Sequence, residues 1–130
     1  MSDIWTLRPG AEEFAPYFGR YINLVPDGDI REMLREQAVG TVRLLAPLRE
    51  EQANYSYAEG KWSVKEVLGH MIDAERIFAY RLLRIARNDK TALPGFEQDD
   101  FVKYGPHARQ PWPELMEEFQ VVRNATMCLL

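Results

Sequence analysis

Residues 61–76 read KWSVKEVLGHMIDAER, and this stretch decides the fold. Ser63 followed three residues later by Glu66 is a capping box, in which each side chain satisfies a backbone N–H that the first helical turn leaves unpaired. Trp62, just before the cap, is placed to pack on Val67 as a hydrophobic staple. His70 sits two turns into the helix, on a stiff element. Apolar residues continue at helical spacing through Val64, Val67, Leu68, Met71, Phe78, Leu82, Ile85 and Ala86, so the helix is expected to run to about Asn88.

The same period recurs outward in both directions. Tyr17, Phe18, Tyr21, Ile22 and Val25 share one side of a short helix that ends at the turn Pro26-Asp27-Gly28. Asp29 and Glu32 repeat the cap pattern, and Ile30, Met33, Leu34, Ala38, Thr41, Leu44 and Leu45 form one stripe up to Pro47, which stops the helix near Ala46. Between 89 and 111, Pro94-Gly95, Gly105-Pro106 and Pro111 forbid a continuous helix and predict a long loop. A last helix follows, with Leu115, Met116, Phe119, Val122, Thr126 and Leu129 on its apolar face and Cys128-Leu129-Leu130 at its end. No pattern alternates as a strand would. The expected class is all-α, an antiparallel helical bundle formed by residues 1–130 as one domain. The apolar stripes are wide enough to want a further helix, so the bundle is expected to be incomplete at its C-terminal end.

Composition narrows the function classes. With 46% hydrophobic and 28% charged residues the chain has an ordinary globular composition, and no stretch resembles a membrane span or a signal peptide. One cysteine, Cys128, forbids an internal disulfide, and a reducing, cytoplasmic home is the simplest expectation. A net charge of −4 argues against a protein that coats nucleic acid. Arg76, Arg81, Arg84, Arg87 and Lys90 form a basic run, and such runs are most often a solvated face. No C-x-x-C, H-x-x-x-H, G-x-S-x-G or phosphate-cradling glycine loop supports nucleophilic or nucleotide chemistry.

The candidates for chemistry are few. At about 100° per residue, His70 lies about 120° from the centre of the apolar face, on a flank that faces a groove. It reads either as a half-buried histidine bonded to a neighbouring carboxylate or carbonyl, or as a metal ligand. The companions on offer are His107, which follows Gly105-Pro106 in the loop, Cys128, whose apolar neighbours mark it as a small core residue, and carboxylates. Glu75 falls near the middle of the apolar face and needs a partner such as Arg20, Arg35 or Arg123, or else supports a metal site from behind. Asp73 is expected to point outward with little to do. Residues 96–104 are a candidate wall or lid of a pocket.

The run Trp62, Ser63, Glu66, His70, followed by Leu93-Pro94-Gly95-Phe96, resembles the DinB/YfiT-like superfamily, with a looser likeness over residues 12–130. The resemblance implies a four-helix bundle, often dimeric, that binds a divalent metal through three histidines, one in a W-S-x-x-E-x-x-x-H pattern and two in an H-x-x-x-H on the last helix. It carries the first ligand to His70, and zinc or nickel is the metal it implies. The H-x-x-x-H has no counterpart in residues 71–130. The implied activities are thiol-dependent S-transfer, with a small-molecule thiol as partner, or metal-dependent hydrolysis, and the implied assembly is a homodimer. The alternative is a metal-free interaction or dimerisation module without catalytic activity.

Overall fold

The computed structural model describes residues 3–130, and every regular element among them is helical. In order these are a 3₁₀ turn Ile4–Thr6, α1 (Pro16–Ile22), α2 (Ile30–Leu45), α3 (Glu50–Ala53), α4 (Val64–Ala86), α5 (Gln98–Tyr104), a second 3₁₀ turn His107–Arg109, and α6 (Trp112–Leu129). The chain divides into two compact units, residues 1–40 and 41–130. None of the helices is long and apolar enough to cross a membrane, among the described residues.

In the first unit, Asp29 caps α2 by accepting the Arg31 N–H at 2.8 Å, and the Arg31 guanidinium folds back on the same carboxylate. That pairing, led by the Arg31 side chain, holds the Asp29 carboxyl down at about 2. Gly28 takes a φ of 142° in the preceding turn, a region that L side chains rarely enter. The Arg8 guanidinium closes the same corner, giving Nε to Asp27 at 2.7 Å and Nη1 to the Ile22 carbonyl at 3.0 Å. The expected stripe of α2 is half-buried, except Leu44, which is exposed.

The second unit holds the core. Leu68 and Ile72 of α4 meet Leu115 and Phe119 of α6, and these four are the largest fully buried side chains. Ser63 and Glu66 form the capping box as the sequence requires, Ser63 Oγ accepting from Glu66 N at 3.2 Å and Glu66 Oε2 accepting from Ser63 N at 2.7 Å. At its other end α4 stops where Asn88 turns left-handed, with φ 57°. The Asp89 N–H then bonds the Arg84 carbonyl at 3.0 Å.

Three features differ from the sequence reading. Residues 89–111 are not one loop: α5 and the second 3₁₀ turn form there, because residues 98–104 between the Pro-Gly pairs are free to coil. This segment carries the chain back along α4 before α6 begins. The pair α4–α6 therefore runs parallel rather than antiparallel, with Glu50 joining Lys65 to Trp112 near the two starts and Glu75 meeting Arg123 one further stretch along each. The buried side of α4 is also not its most apolar one. Lys65, Leu68, Gly69 and Ile72 are buried, whereas Val67, Met71, Phe78 and Ile85 are 37–65% exposed.

Candidate functional site

The two histidines have opposite environments. His70 is half-buried on α4, and its ring lies 5.1 Å from that of Trp62, inclined at 46°. Trp62 thus turns from the N-cap toward the helix as a staple does, with its ring contact falling on His70. No hydrogen bond joins the His70 imidazole to another described residue. The structure does not show the protein-bonded histidine that was one expectation for this residue. Trp62 also walls an open cleft of about 530 Å³ with Tyr57, Lys61, Val67 and Asp99.

His107, by contrast, is 3% exposed and bonded through both ring nitrogens. Nδ1 lies 2.8 Å from Gln110 Oε1, and Nε2 lies 3.2 Å from Asp73 Oδ2. The ring sits on Gly69, where an added Cβ would come within 2.2 Å of His107 Cγ. His107 does approach α4, but it joins Asp73 and not His70. Asp73, expected to point outward, is the partner that ties the second 3₁₀ turn to α4. The signal missed in the sequence was Gly69: a glycine inside a well-capped helix costs about 1 kcal/mol against alanine and marks a close approach.

Around this pair a network closes. Gln110 Nε2 donates to Glu118 Oε2 at 2.9 Å, and Arg76 Nη1 donates to Glu118 Oε1 at 2.7 Å. Burial pushes the Glu118 carboxyl up, but Gln110, Arg76 and His107 together outweigh it and leave it lowered. An open groove of about 600 Å³ borders the network, lined by Asp73, Arg76, Ile77, Asp100, Phe101 and Tyr104. α5 is its far wall, which gives residues 98–104 a place beside a pocket. His70 lines neither this groove nor the Trp62 cleft.

The remaining candidates have structural employment. Glu75 is bidentate to Arg123, at 2.8 Å to Nε and 2.9 Å to Nη2, with both side chains largely buried. Among the three arginines considered for it, Arg123 is the partner, and Arg20 instead stacks over Tyr17. Glu50, which the sequence did not single out, pairs with buried Lys65 and accepts the Trp112 N–H at 2.9 Å. It satisfies a donor at the start of α6, where Pro111 offers no side-chain cap. Lys65 first, then Trp112, lower its carboxyl. Cys128 is exposed and not a core residue, because α6 turns it away from α4. In the basic run, Arg76 is taken by Glu118, Arg81 by the Pro94 carbonyl and Arg84 by Asp89.

The donor set is incomplete for a metal. Among the described residues no three His, Cys, Asp or Glu side chains converge in a way that would hold an ion. Of the two histidines, His70 makes no hydrogen bond to a described residue, whereas His107 has both nitrogens committed.

Comparison with known proteins adds the family context. A model described as the DinB superfamily matches residues 33–127. Over 75 residues the chain is 29% identical to a protein of Oceanobacillus iheyensis named "Putative metal-dependent hydrolase", an alignment covering 55% of this chain and 43% of that protein. The chain thus spans less than half the length of that relative. No solved structure matches it.

Proposed function

This chain belongs to the DinB superfamily, and on that footing we propose that it is a divalent-metal-binding protein in which His70 is one ligand of the ion. The observation that carries the reading is the state of His70: a half-buried imidazole, steadied by Trp62 on a well-capped helix, with neither nitrogen spent on a described residue. An imidazole held this way is suited to a zinc- or nickel-type ion. Since the described residues do not complete a site, the other ligands come from elsewhere, either further polypeptide or a second copy of the chain. The activity classes are metal-dependent hydrolysis, the class in the name of the Oceanobacillus relative, and thiol-dependent S-transfer with a small-molecule thiol. A reducing, cytoplasmic setting and a homodimeric assembly go with this reading.

Metal analysis tests it. Full-length protein equilibrated with Zn²⁺ or Ni²⁺, then dialysed, is expected to retain the ion, and its His70→Ala variant to lose it while helix content by circular dichroism is unchanged. Equal metal in both proteins removes His70 from the site. The second reading, a metal-free interaction module, is favoured by the exposed stripe Val67, Met71, Phe78 and Ile85 on α4. It predicts self-association that is indifferent to chelators and to His70→Ala, but is lost in Phe78→Asp.

A further inference from the structure

The hydrogen bonds around His107 constrain where its protons sit. The Glu118 carboxylate can only accept, so the amide it contacts at 2.9 Å is the Gln110 NH₂ group. This fixes Gln110 Oε1 toward His107 Nδ1, and an amide oxygen can only accept as well. Nδ1 therefore carries a hydrogen. A neutral imidazole with its hydrogen on Nδ1 presents a lone pair at Nε2, and Nε2 faces Asp73 Oδ2 at 3.2 Å. Two acceptors do not bond. The contact requires one more proton, shared between the His107 ring and the Asp73 carboxyl.

We infer that this proton is a latch: it fastens the turn His107–Arg109, and through Gly105 the α5 wall of the groove, onto α4, and the turn loosens when the proton leaves. Beyond Asp73 itself, two charged groups face the pair from the elements packed on it, Arg76 from α4 and Glu118 from α6, with Asp100 of α5 across the groove. Arg76 is neutralised by Glu118, which leaves Asp73 as the direct counter-charge for an imidazolium. Burial of His107 keeps water from replacing Asp73 while the turn is docked. On opening, both groups are rehydrated and the shared proton is no longer held by the pair. Docking therefore binds a proton, and linkage makes it weaken as pH rises. The consequence is a groove whose wall position depends on pH.

The test reads the turn directly. Hydrogen exchange of residues 105–111, expressed as protection relative to the intrinsic rate at each pH, is measured alongside ¹⁵N shifts of the His107 ring. In the wild-type protein, both ring nitrogens are expected to be protonated at low pH. Above the transition, protection should fall about tenfold per pH unit until the turn is fully open. In Asp73→Asn the amide NH₂ donates to a neutral Nε2, so the turn stays docked and its protection becomes independent of pH. His107→Gln, whose amide also donates to Asp73, should behave alike. A wild-type turn whose protection is unchanged while the ring loses its Nε2 proton overturns the latch. So does a wild-type turn whose protection is the same at every pH.

Discussion

Removing the Glu75 carboxylate should be among the most costly single changes in this chain. Arg123 is a guanidinium 7% exposed, held by two hydrogen bonds of 2.8 and 2.9 Å to a carboxylate 14% exposed. Breaking a buried pair from one side leaves a charge in a poorly solvating place, at a cost of about 3–5 kcal/mol. Arg123 keeps its position 5.8 Å over the Phe119 ring, so Glu75→Ala should fall at the lower end, about 3 kcal/mol. Against a total stability of about 5–15 kcal/mol, that is a large fraction. With a urea slope of about 1.5–2 kcal/mol/M, the midpoint followed by circular dichroism should drop by roughly 1.5–2 M. Glu75→Gln retains an acceptor and should lose less. The double variant Glu75→Leu with Arg123→Met, which removes both charges at similar volume, should recover much of the loss. A Glu75→Ala protein within about 1 kcal/mol of wild type would show that water reaches the pair and that the burial argument is wrong.

Three other outcomes follow from the same geometry. Gly69→Ala, which helix propensity alone would make stabilising by about 1 kcal/mol, should destabilise because its Cβ lands on the His107 ring, and the thermal midpoint of Gly69→Ala with His107→Ala should lie above that of Gly69→Ala. Lys65→Met should lower stability and fray the start of α6, seen as faster exchange of the Trp112 amide, since Glu50 loses the cation that orients it. Stability should also decline in acid: the folded-state carboxyls of Asp29 and Glu50 lie below their ordinary values, so their contribution is full above the unfolded range and disappears as pH falls through the folded one. For Asp29 this loss spans pH 3.8 down to about 2, and Asp29→Asn should flatten the stability profile there.

Much of the architecture was legible because its causes are local. The Ser63/Glu66 box, the turn at Gly28 and the stop before Pro47 act within a few residues, and they place α2 and α4 where periodicity puts them. The apolar face of α6 was equally plain, since Leu115, Met116, Phe119 and Val122 are all buried. The buried side of α4 was less visible. It includes a lysine, a glycine and a glutamate, each acceptable only because a particular distant group meets it: Glu50, His107 and Arg123.

By itself, then, the sequence determined the helices, their caps, the all-α class and the presence of a histidine on the flank of α4, because hydrophobic period and capping chemistry are short-range. Only tertiary structure decided which carboxylate each buried cation and histidine meets. It also decided that residues 98–109 fold back along α4, that His107 is consumed by Asp73 and Gln110, and that the His70 imidazole is left unbonded. Apart from Gln110, three residues from His107, the charged pairings run 15–62 residues apart, and no local rule selects one long-range partner over another of the same charge.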